Sequence, residues 1–183
     1  IHTHAALIAD SDVFVTQLEQ PMDAAMYGLE IARAAGVTTV LNPAPAAILP
    51  YGMLALCDYV TPNETECEFL TGISVRTQSQ AKRACDVLRD LGVGTPIITM
   101  GEQGAFVHGL GLVPAVIAGN VIETTGAGDA FNGGFAAALA EKRTPLDAVR
   151  YGCATAGISV KKAGTAPSMP SRDMVDRLMR SGN

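Results

Sequence analysis

The sequence carries little charge. Only 17% of its 183 residues are Asp, Glu, Lys or Arg, while 48% are apolar. That balance excludes a disordered chain or a polyelectrolyte and leaves enough apolar side chains for a sizeable core. Basic charge is in deficit, with 13 Lys and Arg against 18 Asp and Glu, so the formal net charge is −5. A surface of that sign argues against a general nucleic-acid binder or a binder of anionic membranes. Anionic substrates stay open, because a few local dipoles hold a phosphate inside an acidic protein. Also absent is any apolar run of about 18 residues, the length that crosses a bilayer. The start, Ile1-His2-Thr3-His4, lacks the basic-then-apolar pattern of a signal peptide. The four cysteines, Cys57, Cys67, Cys85 and Cys153, form no C-x-x-C pair. This disfavours a disulfide framework or a thiolate metal site and points to buried free thiols. The expectation is a soluble cytoplasmic protein without nucleic-acid or membrane partners, its length suiting one domain over residues 1–183.

What is present alternates between short apolar runs and helical patterns. Strands are predicted at 13–15, 37–41, 59–61 and 97–100, each rich in β-branched residues or stopped by Pro or Gly. A turn at 101–104 leads to a hairpin partner at 105–108, and a further β segment is predicted over 113–122. Helices are predicted from Pro21 to the Gly36 stop, over 64–70 closed by Gly72, and over 79–91 with Ser79 as N-cap and Gly92 beyond the end. An Ala-rich helix starts near Asp129 and ends near Arg143. A second starts at the Thr144-Pro145 cap and runs to about Val160, and a last one covers 172–180. Strands alternating with such helices indicate an α/β fold with a largely parallel sheet covered on both faces.

The densest segment for chemistry is Glu123-Thr124-Thr125-Gly126-Ala127-Gly128-Asp129-Ala130-Phe131-Asn132-Gly133-Gly134. Small residues let the backbone approach a ligand, and the first turn of the helix leaves N–H groups that favour an anion. An Asp beside an anion cradle makes sense if its carboxylate takes a proton from a hydroxyl that attacks phosphorus. The segment is neither a Walker A loop nor a dinucleotide fingerprint. A carboxylate and an amide at Asn63 and Glu66, just past a strand, suit a hydrated Mg²⁺. By themselves they read first as an ordinary helix start with Asn63 as N-cap. Thr99-Met100-Gly101-Glu102-Gln103-Gly104 is by itself a hairpin turn. His2, His4 and His108 carry no pattern of ligands, and Met22, Met26 and Met53 fit helix faces as core.

The string T-T-G-A-G-D-A-F-N-G-G resembles the signature of the ribokinase family of ATP-dependent sugar kinases. The resemblance implies a Rossmann-type three-layer α/β/α sandwich with a mostly parallel central sheet. It makes Asp129 the catalytic base and the backbone of Gly126, Ala127 and Gly128 the anion hole. Thr61-Pro62-Asn63-Glu64-Thr65-Glu66 resembles the family's N-x-x-E motif, which gives Asn63 to ATP and Glu66 to Mg²⁺ through water. Thr99, Gly101 and Gly104 match a turn that lines the ATP site in that family, as does Gly128. Gln17-Leu18-Glu19 and Asn42-Pro43-Ala44-Pro45-Ala46 are typical of members acting on ribose, where Glu19 would bind a sugar hydroxyl beside Asp129. The loop 161–168 resembles one that helps to hold a monovalent cation such as K⁺. Carbonyls of Thr125, Ser159, Lys162 and Gly164 and the Ser168 hydroxyl are the carried-over ligands. The family's acidic partner is Asp, whereas Glu123 stands here. Another departure is Cys153, where many members carry an Asn near the adenine.

Together these imply transfer of the ATP γ-phosphoryl group to the 5-hydroxyl of D-ribose, giving ribose 5-phosphate. The alternatives are another sugar or nucleoside kinase of the family, fructokinase-like, or an inactive nucleotide-binding fragment. The resemblance spans the chain but matches the C-terminal part of a family member. It implies that N-terminal strands, a β lid and the homodimer contact made through that lid lie outside these 183 residues.

Overall fold

Buried aliphatic runs pair first. In the computed structural model, which describes residues 1–181, β1 (Val13–Thr16), β2 (Thr38–Leu41), β3 (Tyr59–Val60) and β4 (Thr95–Thr99) lie side by side in parallel. The register sets Val15 opposite Val40, Leu41 opposite Val60, and Val60 opposite Pro96. β5 (Gly104–Val107) and β6 (Gly111–Pro114) complete a six-stranded sheet in the order β1 to β6. β2, β4 and β5 are buried almost throughout, as strands with both faces covered must be, while edge strand β1 leaves Val15 40% exposed. The fold is thus the mostly parallel three-layer α/β type that the sequence pattern indicates.

The chain forms two compact units. One comprises Ile1–Met100 and Phe106–Leu112. It contains α1 (Ala5–Ala9), α2 (Met22–Ala34), α3 (Glu64–Thr71) and α4 (Gln78–Asp90). Its core joins Leu29 of α2, Leu41 and Val60 of the sheet, Cys67 of α3, Leu88 of α4 and Ile98 of β4. Each helix stops where its chemistry says it should. α2 ends before Gly36 and α3 at Gly72, both with positive φ, which glycine adopts without a Cβ clash. The N-cap of α4 lies two residues earlier than its pattern predicts. Thr77, not Ser79, is the N-cap: its hydroxyl accepts the Gln80 N–H, and the Gln80 side chain accepts the Thr77 N–H at 3.0 Å. The reciprocal pair outcompetes Ser79, which has no such partner three residues on. The short α1 has no side-chain cap and buries none of its residues, and no element is predicted there.

The other unit comprises Gly101–Ala105 and the chain from Val113 onward. It contains α5 (Ala127–Ala140), α6 (Pro145–Ser159) and α7 (Arg172–Ser181). α5 and α6 approach closely through small residues: a Cβ on Gly152 would meet the Phe131 ring at 2.9 Å. Thr144 caps α6 by accepting the Asp147 N–H, with Pro145 in the first turn. At the far end Arg143 lies 4.5 Å over the Tyr151 ring and pairs with Glu141, and the Tyr151 hydroxyl donates to Asp176 at 3.0 Å. The predicted strand over 113–122 is corrected here: β6 ends at Pro114, and residues 115–126 form no regular element. The Ile122 and Glu123 N–H groups go to the Val160 carbonyl at the end of α6, so no ladder forms. Ile117, Val121 and Ile122 are accordingly exposed despite their β propensity.

Candidate functional site

α5 begins two residues before Asp129, because Gly126 turns the chain into it. Gly126 is the N-cap at φ 80°, its carbonyl accepting the Ala130 N–H at 2.9 Å. A side chain there would need the left-handed region and would bring a Cβ within 3.2 Å of Thr165 Cγ2. Asp129 thus falls in the first turn of α5, exposed, where the helix dipole favours negative charge. Gly128 is open enough that a built Cβ meets nothing within 4 Å. The Ala127 N–H is already donated to the Thr124 carbonyl at 3.1 Å, so it could reach an anion only as a shared donor. The buried Asn132 donates from Nδ2 to the Gly128 carbonyl at 2.9 Å. A cleft of about 310 Å³ runs from Asp129 past Gly133 and Ala137 to Glu141, with Met169 and Arg172 on its other side. Asp129, Gly133 and Ala137 of α5 and its C-cap Glu141 recur every fourth position and so share one face of the helix.

In the same unit, the residues assigned by resemblance to a monovalent cation bind one another. Glu123 Oε2 accepts the Gly164 N–H at 2.8 Å, and the Thr125 side chain also hydrogen-bonds to the carboxylate. These two contacts, Gly164 first, hold the Glu123 carboxyl below its usual range. The Ser159 carbonyl accepts the Lys162 N–H at 3.2 Å, and the Ser168 hydroxyl donates to the Thr165 carbonyl at 2.7 Å. A K⁺ cage needs oxygens turned to one point. Here the anionic member of the set is occupied by protons from Gly164 and Thr125, two of the other assigned ligands. The residues present do not fit the cation.

Gly101 opens a 3-10 turn and Gly104 begins β5. A Cβ on Gly104 would sit 2.1 Å from the Val113 carbonyl, so strand packing alone already requires glycine there.

The first unit holds the remaining predicted residues. Asn63 is the N-cap of α3 in a closed capping box. Its Oδ1 accepts the Glu66 N–H at 2.8 Å, while Glu66 accepts the Asn63 N–H at 2.8 Å and its Nδ2 at 3.0 Å. Glu66 is 8% exposed, and burial pushes its carboxyl up, partly opposed by the Asn63 hydrogen bond. Both proposed roles of the motif start from this box, because the free lone pairs of Glu66 still suit a hydrated ion through water. The Thr99 N–H donates to the Pro62 carbonyl at 2.9 Å, and Asn63 and Thr99 form a parallel bridge, so these motifs are neighbours. Glu19 is exposed in the bend after β1. The Leu18 N–H donates to the Ala44 carbonyl at 2.9 Å, which joins the Gln17-Leu18-Glu19 segment to the proline-rich one. Cys153 is buried in α6 with its thiol pushed up to about 11 by burial. Val160, whose carbonyl accepts the Ile122 and Glu123 N–H groups, carries no sequence signal that marks it, and the packing of Thr165 against Gly126 is not visible in the loop motif.

Among the described residues no cluster of three or more His, Cys, Asp or Glu side chains could hold a metal ion. No helix there is long and apolar enough to cross a membrane.

A family model described as pfkB family carbohydrate kinase matches residues 4–172, running through both units. The chain is 46% identical over 170 residues to a ribokinase of Haemophilus influenzae, covering 91% of this chain and 55% of that protein. It is 39% identical over 174 residues to a ribokinase of Staphylococcus aureus, covering 93% and 57%. The structure of Arabidopsis thaliana ribokinase complexed with ribose and ATP superposes with a TM-score of 0.93 at 28% identity, over 98% of this chain and 59% of that one. The chain therefore spans little more than half the length of the curated relatives it matches.

Proposed function

The chain belongs to the pfkB family of carbohydrate kinases, and from that premise we propose that it serves ATP-dependent phosphorylation of D-ribose at the 5-hydroxyl. The observation that carries the reading is Asp129 in the first turn of α5, three residues after the left-handed Gly126 cap and among the residues that line a cleft of about 310 Å³. The similarity to ribokinases, one of them solved with ribose and ATP, supports ribose as acceptor.

In this reading the Asp129 carboxylate takes the proton of the sugar hydroxyl as its oxygen attacks the γ-phosphorus. The new O–P bond forms as the bond to ADP breaks, and the proton remains on Asp129. The backbone from Gly126 to Gly128 stabilises charge on the transferred group, with Ala127 sharing its donor. The dipole of α5 adds to this, since its positive end faces the anion. Glu19 holds a sugar hydroxyl from the exposed bend after β1. Thr99, Gly101 and Gly104 belong to the nucleotide, with Asn63 near its phosphates. A Mg²⁺ ion bound with ATP would neutralise phosphate charge, and Glu66 would hold it through water without opening the capping box.

Coupled measurement of ADP release with ribose, deoxyribose, fructose and adenosine tests the proposal. The highest kcat/KM with ribose supports it. A higher value with fructose or adenosine reassigns the acceptor, and ATP binding by calorimetry without turnover on any acceptor rejects the activity.

A further inference from the structure

The turn that presents Gly126 to Gly128 is held by loop 160–165 through direct hydrogen bonds and packing. The Ile122 and Glu123 N–H groups both donate to the Val160 carbonyl, at 2.7 and 3.2 Å. The Glu123 carboxylate accepts the Gly164 N–H at 2.8 Å from across 41 residues of chain. Thr165 packs against Gly126 so closely that a Cβ would not fit without a shift. The residues that the family resemblance assigns to a monovalent cation are thus joined to each other, carboxylate to amide.

We infer that Glu123 is a positioning residue that latches the anion-binding turn to loop 160–165 by direct hydrogen bonds, in the place where a monovalent cation would otherwise join them. The side-chain length explains why. Glu is one methylene longer than Asp, so its carboxylate reaches the Gly164 amide and turns its charge onto an N–H. A carboxylate already met by two donors gains less from a cation than one facing only oxygens, because its charge is already compensated. Lone pairs of the Thr125, Lys162 and Gly164 carbonyls then have no anionic centre to complete a cage. The inference rests on reading 124–128 as the phosphate turn, but its test does not need turnover.

Thermal unfolding of the full chain is followed in KCl, NaCl and choline chloride at equal ionic strength, for wild type, Glu123→Gln and Glu123→Ala. The latch predicts that the wild-type Tm differs by no more than about 1 °C among the three salts. Glu123→Ala should then lose about 2–4 °C in all three salts alike. Glu123→Gln keeps an acceptor oxygen for the Gly164 N–H without the charge, so it should recover most of that loss. A saturable rise in wild-type Tm specific to KCl, abolished in Glu123→Gln, would overturn the latch. So would Glu123→Ala melting at the wild-type temperature in choline chloride. Where turnover is measurable, kcat and the KM for ATP should be unchanged when KCl replaces choline chloride; K⁺ activation contradicts the inference while leaving the kinase reading intact.

Discussion

Asn132 reaches back one turn along α5 and donates its side-chain amide to the carbonyl of Gly128 at 2.9 Å. That carbonyl belongs to the peptide that carries the Asp129 N–H, so the buried Asn132 fixes the plane on which the proposed base begins. Asn132→Ala should therefore lower kcat by about 10–100-fold while changing the KM for ATP less than about twofold. Steady-state kinetics checks this, and a raised KM for ATP with kcat unchanged would assign Asn132 to binding instead.

Gly126 joins two constraints, a left-handed backbone and a crowded neighbour in Thr165. Gly126→Ala should destabilise the protein by about 1–2 kcal/mol from backbone strain alone, lowering Tm by about 2–8 °C. Differential scanning calorimetry measures the change. A Tm equal to wild type would mean that the turn has another conformation available.

Burial raises the Glu66 carboxyl above its ordinary range, so the native state holds the proton more tightly than the unfolded chain does. The resulting stability is fully present below the ordinary carboxylate range and is lost as pH rises through the raised native value. Glu66→Gln cannot ionise, so its Tm relative to wild type should improve between about pH 4 and pH 8. A difference in Tm that is flat across that range contradicts the assignment.

All four cysteines are buried, and burial pushes the thiols of Cys57 and Cys85 up to about 12 and those of Cys67 and Cys153 up to about 11. Thiolate is the reactive form, so the folded protein should resist alkylation at about pH 8 and release four reactive thiols on denaturation. Ellman titration with and without guanidinium reads both states. Fast modification of any cysteine in the native protein would place that thiol at the surface.

Much of the fold was legible because its signals are local. Gly72 after α3, Thr144-Pro145 before α6, and the β-branched runs of β1, β2 and β4 each specify their own element. The failures came where the choice of hydrogen-bond partner decides. The segment from Val113 to Ile122 looks like a strand, yet beyond Pro114 the Ala115 N–H goes to the Gln103 carbonyl and the Ile122 and Glu123 N–H groups go to the Val160 carbonyl at the end of α6. The Thr77–Gln80 box displaced Ser79 because capping depends on a reciprocal pair rather than on one polar residue. In the candidate site, Asp129 and its glycines stand out by spacing, and Asn63 with Glu66 by a capping pattern that also suits a metal. The partnership of Glu123 with Gly164 spans 41 residues, and no periodicity reports a contact of that range.

The central claim is that Asp129 removes the proton from the acceptor hydroxyl. Asp129→Asn keeps the shape and the helix position but cannot take a proton. ATP binding by calorimetry should stay within about threefold of wild type, while kcat with ribose falls by about 10²–10⁴-fold. Turnover retained at the wild-type rate with ATP binding intact would contradict the claim and require another group to act as base.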